Sequence, residues 1–196
     1  MSNRIDEPNR RADIVRAAAR LFREKGYTAA TIRDIADAVG MRSGSPFYHF
    51  KTKHDILLAV VLEGITAIQA AVAAAAQEKR TPRKKFEAMV NAHLRALLDN
   101  EGRDFAATLL HEGRHLAPAE QAELTAHRDS YEQLWRTMLS ELKQAGLLCE
   151  GNSVVRLFVI GAMNWTTQWY REDGALNIDA LAANLVALIV GDEPGV

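Results

Sequence analysis

The 196-residue chain contains a single cysteine, Cys149. No internal disulfide can form, which fits a reducing cytoplasm and sets aside the disulfide-stapled secreted scaffolds. The longest apolar stretch in this reading, 154–170, is interrupted by Arg156, Asn164 and Gln168 and is slightly short, so no membrane span is expected. The first residues are polar (Asn3, Arg4, Asp6, Glu7) and lack the apolar segment of a secretory signal. Runs of alternating β-branched residues are missing, as are internal repeats and low-complexity linkers, which argues against sheets and solenoids. Net charge is also nearly absent, at −1.

That small net charge hides an uneven distribution. Residues 1–55 hold 11 Lys and Arg against 7 Asp and Glu, whereas residues 56–196 hold 13 against 18. A basic end on an acidic body points to a polyanionic partner at that end.

The periodicity is helical nearly everywhere. Ile14, Ala18, Leu21 and Phe22 line a first helix that Gly26 ends. Thr31 with Asp34 forms a capping-box pattern for a second helix, with Ile32, Ile35, Ala36 and Val39 as its stripe and Gly40 as its stop. Thr52 with Asp55 repeats the signature ahead of a long helix that carries Leu57, Val60, Val61, Ile65, Ile68 and Val72 to about Lys79. The stretch "KRTPRKK" (79–85) reads as a solvated turn, in which Thr81 caps and Pro82 opens the next helix. Further helices start at Pro118 and run to Gly146, at Asn152 or Ser153, and at Asn177.

Between Gly40 and Lys53 the sequence reads "GMRSGSPFYHFKTK". Helix, tight turn and a second short helix form a helix-turn-helix, whose second member enters the DNA major groove. With Ser43 as N-cap, Pro46 falls at N3, where its missing N–H is one that the helix cannot pair in any case. The recognition helix is therefore expected to begin at Ser43, leaving Arg42 free to face DNA. Phe50 is expected in the small core.

The stretch "TIRDIADAVGMRSGSPFYHFKTKHDIL" resembles the DNA-binding region of the TetR family of bacterial transcriptional regulators. The likeness is close over residues 11 to about 60 and extends further only as an all-helical plan. It implies an all-α protein, with an N-terminal three-helix helix-turn-helix domain and a larger helical ligand-binding and dimerisation domain. The boundaries expected are 1–53, with 1–9 a disordered arm, and 54–196. The resemblance implies DNA contacts from Thr31, Ser43, Ser45, Phe47, Tyr48, His49 and Lys53. Arg33, Arg42 and Lys51 are added on charge and placement. Arg42, Pro46 and Phe47 depart from the common pattern, which affects sequence preference rather than basic character.

Helix 154–170 divides into one side with Val154, Phe158, Gly161, Trp165 and Trp169 and another with Val155, Val159, Met163 and Tyr170. One side can pack on its own core. The other calls for a partner, together with Leu181, Leu185 and Leu188 of the last helix, which predicts a homodimer on a palindromic operator. Aromatic walls with sparse polar groups suit an apolar small molecule. The expected effector residues are His93, Arg128, Tyr131, Trp135, Asn164, Trp165 and Trp169. "GAMNWTTQWYREDGALN" resembles the C-terminal region of TetR members that respond to acyl-CoA thioesters in fatty-acid, phenylacetate or sterol-ring degradation. That resemblance implies an acyl-CoA effector; separately, no cofactor, no metal and no membrane partner are expected.

One motif competes. "HEGRH" (111–115) fits H-E-x-x-H, which on a helix places two imidazoles on one face for zinc, with Glu112 as base. Pro118 interrupts its extended form, and no edge strand is expected to hold a peptide. A metal-dependent hydrolase and a purely structural helical dimer are the alternatives to a ligand-responsive repressor acting in the cytoplasm.

Overall fold

The computed structural model describes residues 7–77 and 81–191. Eight α-helices form this part of the chain: α1 (Glu7–Ala29), α2 (Ile32–Ala38), α3 (Lys53–Gln77), α4 (Pro82–Leu98), α5 (Asn100–Glu112), α6 (Pro118–Gln144), α7 (Ser153–Trp169) and α8 (Ile178–Val190). Single 3₁₀ turns lie at Ser45–Tyr48 and Gly113–His115, and no strand occurs among the described residues. Residues 1–6 of the expected arm and residues 78–80 of the basic run lie outside the described residues; Glu7 to Asn9 open α1.

The chain divides into two compact units, residues 1–65 with 100–124, and residues 66–99 with 125–196. Helix α3 begins at Lys53, next to the expected 53/54 boundary, and the division between the two units falls within it, after residue 65. In the first unit α1 packs on α5 and α2, and Ile14, Ala18, Phe22, Ile35, Ile56, Leu57, Val60 and Ala106 are fully buried or nearly so. Gly26, at φ 77°, turns the chain where the first helical run must stop. Thr108 is buried on α5 and donates its hydroxyl to the Asp104 carbonyl at 3.0 Å and the Ala19 carbonyl at 3.3 Å.

In the second unit α4 packs on α8 and α7 around Phe86, Met89, Leu94, Trp135, Met138, Leu139, Val159 and Met163. The predicted caps form. Asn152 Oδ1 accepts from the Val154 and Val155 N–H groups, and Asn177 Oδ1 accepts from that of Ala180. Such caps contribute about 1 kcal/mol each.

Among the described residues the strongest apolar helix is α3, not 154–170; it is long and apolar enough to cross a membrane, with a mean hydropathy of 2.1 over its best window. Its apolar residues instead serve the cores, Ile56, Leu57, Val60 and Val61 in the first unit and Ile68 and Val72 in the second. Leu181, expected at a partner interface, is buried with Ile178, Ala182 and Val186 inside its own unit.

Candidate DNA-binding face and effector core

Helix α2 is fixed by its cap. Asp34 N–H donates to Thr31 Oγ1 at 3.1 Å, while the Thr31 amide and hydroxyl donate to Asp34 Oδ2 at 2.8 and 2.7 Å. Lys25 Nζ adds a contact to Asp34 at 3.0 Å. The Thr31 side-chain hydrogen bond, helped by the Thr31 amide and Lys25, holds the Asp34 carboxyl down at about 2. Both Thr31 donors expected to meet a phosphate are thereby engaged within the protein, so Thr31 orders α2 rather than offering a free donor.

The segment after α2 differs from the sequence expectation. Gly40 has φ 64° and ends α2 as expected. The next turn begins with Gly44 as cap and comprises only Ser45–Tyr48, with no side-chain cap bond. Ser43 is therefore outside the turn, and Pro46 sits one position nearer its start than the N3 placement. A proline disfavours α-helical backbone in the residue before it, and 3₁₀ pairing asks for less regular helix around it. The Ser45 N–H pairs with the Arg42 carbonyl at 2.8 Å, and the His49 and Phe50 N–H groups both reach the Pro46 carbonyl, at 3.0 and 2.9 Å. Pro46 and Phe50 turn inward and are buried. The turn thus presents Tyr48, 91% exposed, and Phe47, 52% exposed, alongside exposed Arg42, Ser43 and Lys51. Arg33, on α2, is exposed and only loosely paired with Asp37 at 3.8 Å. Ser45 and His49 are half-buried.

Lys53 does not belong to this exposed set. Its Nζ donates to the carbonyls of Tyr27 at 2.7 Å and Ala30 at 2.8 Å and stands 4.4 Å from the centre of the Tyr27 ring. The ammonium thus closes the C-terminal end of α1, where carbonyls lack intrahelical partners. Sequence reading also missed Arg11, whose guanidinium lies 4.8 Å over the Phe50 ring and ties α1 to the turn. Its spacing from Phe50 gives no local signal. A cleft of about 350 Å³ in this unit is lined by Asp13, Arg16, Ala17, Arg20, Ala38, Val39, Asp104 and Phe105, and includes none of the expected effector residues.

"HEGRH" is not one helix. Helix α5 ends at Glu112, and Gly113–His115 form a 3₁₀ turn, so His111 and His115 do not share a helical face. His115 Nε2 lies 3.3 Å from Glu112, and its ring lies 5.2 Å from that of Tyr27. Among the described residues no group of three or more His, Cys, Asp or Glu side chains is placed to share a metal.

In the second unit three of the expected effector residues meet. Tyr131 Oη lies 2.5 Å from His93 Nδ1, and Trp135 stands edge-on to both rings, with centroids 6.1 and 6.2 Å away. His93 is 2% exposed and Trp135 fully buried. Burial pushes His93 down to about 4 despite the neighbouring Asn164, and pushes the Tyr131 phenol well up. His93 Nε2 and Trp135 Nε1 have no hydrogen-bond partner. Asn164 adjoins His93, and the remaining three expected residues do not join this cluster. Arg128 is exposed, and Trp165 and Trp169 are 66% and 48% exposed on the outer side of α7 with Val154, Leu157 and Phe158. The opposite side of α7 buries Val159, Met163 and Thr166. The two-sided division of this helix is as the sequence indicates.

Residues 14–60 match the family model described as bacterial regulatory proteins, tetR family. Residues 79–192 match one described as tetracyclin repressor-like, C-terminal domain. The HTH-type transcriptional repressor KstR2 of Rhodococcus jostii is 27% identical, over 92% of this chain and 89% of its own. A crystal structure described as superantigen pfit is 36% identical with a TM-score of 0.76, covering 97% of this chain and 92% of that one. The structure of AibR in complex with isovaleryl coenzyme A and operator DNA has a TM-score of 0.84 at 22% identity, covering 93% and 98%, and shares the fold.

Proposed function

The chain belongs to the TetR family of bacterial regulatory proteins, and on that footing we propose that it is a ligand-responsive transcriptional repressor. It binds a palindromic operator as a homodimer. The observation that carries this reading is the exposed Arg42-to-Lys51 segment, a short turn held by buried Pro46 and Phe50 that offers basic and aromatic side chains to a polyanion.

Within the expected division into residues 1–53 and 54–196, DNA contact falls to Arg33, Arg42, Ser43, Ser45, Phe47, Tyr48, His49 and Lys51. Phosphate contacts from Arg and Lys set affinity and register, and Phe47 offers an apolar surface to a thymine methyl. The outer side of α7, with Leu188 of α8 80% exposed, offers a large apolar surface that a second copy of the chain covers in a two-fold interface.

The buried His93, Tyr131 and Trp135 cluster, with Asn164 beside it, is the effector site. An acyl-CoA thioester is the effector class this reading favours, in line with the isovaleryl coenzyme A bound by AibR. The test is a gel-shift titration with DNA from upstream of the protein's own gene, with and without acyl-CoA of increasing chain length. A retarded band that an acyl-CoA abolishes supports both parts of the reading. A band unaffected by any acyl-CoA removes the effector class and leaves DNA binding, and no band at any protein concentration counts against a repressor of its own gene.

A further inference from the structure

The core of the second unit holds two buried ring nitrogens, His93 Nε2 and Trp135 Nε1, that lack a hydrogen bond of good geometry. Tyr131 can dispose of its hydroxyl proton in one direction within the three-ring cluster: the indole Nε1 of Trp135 is a donor only, whereas His93 Nδ1, at 2.5 Å, can accept. The imidazole then carries its own proton on Nε2, since the bond made at one ring nitrogen sets the state of the other. That Nε2 is buried and unpartnered, and so is Trp135 Nε1. The Asn164 side chain favours the charged imidazole of His93 through a hydrogen-bonding approach, and Trp135 approaches the Tyr131 oxygen in the same way, but neither contact completes a well-formed hydrogen bond to Nε2 or Nε1.

Unmet donors in a sealed core are costly, and native proteins seldom keep two in one cluster without a use for them. The same surroundings penalise charge of either sign, since they hold His93 neutral down to about pH 4 and raise the phenol of Tyr131. A carboxylate brought here would lose its water and gain only neutral donors. An uncharged carbonyl has the complementary lone pairs and a small desolvation cost. Met89, one turn before His93, and Met138, one turn after Trp135, are buried unbranched side chains able to re-pack around an incoming chain.

We propose that the effector presents an uncharged carbonyl oxygen, the thioester carbonyl in the acyl-CoA reading, to the N–H groups of His93 and Trp135. This inference rests on the assignment of these residues to the effector site. It adds the polarity of the group recognised: an acceptor, neutral, and lost when the thioester is hydrolysed to the free acid.

The test is calorimetric titration of the full chain with hexanoyl-CoA, with S-hexyl-CoA (the thioether, a methylene in place of the carbonyl) and with hexanoate. Hexanoyl-CoA is expected to bind about tenfold more tightly than S-hexyl-CoA, the loss expected when buried donors are left unmet. Hexanoate should bind more weakly still. Trp135→Phe keeps the ring and removes the N–H, so it should shrink the thioester preference to about threefold or less. Equal binding of thioester and thioether to the wild-type chain, or tighter binding of hexanoate, overturns the carbonyl inference while leaving the site an effector site. Binding of neither CoA compound overturns the acyl-CoA reading, and the inference falls with it. A readout without ligand guards against a misfolded variant. The ¹⁵N spectrum of His93 should show the Nε2-protonated tautomer at neutral pH, and an Nδ1-protonated ring overturns the inference.

Discussion

The Lys53 ammonium sits on the Tyr27 carbonyl at 2.7 Å and under the Tyr27 ring at 4.4 Å, spending its charge inside the protein. Substitution Lys53→Met keeps the aliphatic stem and removes the donors. Urea unfolding should show a loss of about 1–3 kcal/mol, the cost of carbonyls left without a charged donor. The salt dependence of DNA binding should keep its slope, because no phosphate contact is lost. A slope reduced by about one, with unchanged stability, would show instead that Lys53 pairs with a phosphate.

Arg42 and Lys51 have the opposite profile: both are exposed, and both flank the 3₁₀ turn. Arg42→Ala and Lys51→Ala should each leave the melting temperature within a degree or two, since exposed charges away from packed contacts contribute little. Each should lower affinity for duplex DNA and reduce the slope of log K against log salt by about one. Fluorescence anisotropy over a range of salt concentrations measures both. An unchanged slope in either variant removes that residue from the DNA interface.

His93 gives a pH dependence of known sign. Its pKa is about 4 in the folded protein, below the ordinary 6.5, so the unfolded chain binds the extra proton between those values. Its effect is absent above pH 6.5, and stability falls as pH drops from there towards 4. Between pH 7 and pH 5 the loss assigned to His93 is about 2 kcal/mol. His93→Gln cannot titrate, so comparison of its urea curves with wild type at the two pH values should show that difference. Equal pH dependence would mean that His93 is solvated in the folded state.

The outer side of α7 supplies a fourth prediction. Phe158 is 73% exposed and Trp165 66% exposed on the same side. Phe158→Asp places a charge in the proposed two-fold interface and should convert the dimer to monomer in sedimentation velocity at low micromolar concentration. The far-ultraviolet circular dichroism should be retained, because the buried side of α7 is untouched. A variant that still sediments as a dimer excludes this face as the interface.

Local chemistry made most of the fold legible in the sequence. Thr31 with Asp34, Thr52 with Asp55, Asn152 and Asn177 all cap the helices they were expected to cap, because capping depends on residues two or three apart. The exposed and buried sides of α7 could be read in the same way from helical spacing. Contacts distant in sequence could not. Nothing near Lys53 announces that the carbonyls of Tyr27 and Ala30 will reach it, and nothing near Arg11 announces Phe50. Trp165 and Trp169 carry the same i, i+4 spacing as Tyr131 and Trp135, yet one pair is exposed and the other buried. Spacing places two residues on one side of a helix and says nothing about what that side meets. At Pro46 two local rules competed, and a single 3₁₀ turn resulted where an N-cap at Ser43 was expected.

Selection of bound duplexes from a random-sequence DNA pool by the purified full chain tests the central claim most directly. A palindromic site should be enriched, its half-sites about one helical turn apart, and Arg42→Ala should bind that site more weakly than wild type. A pool that stays random through repeated rounds, with only weak binding that vanishes at physiological salt, would contradict a sequence-specific repressor.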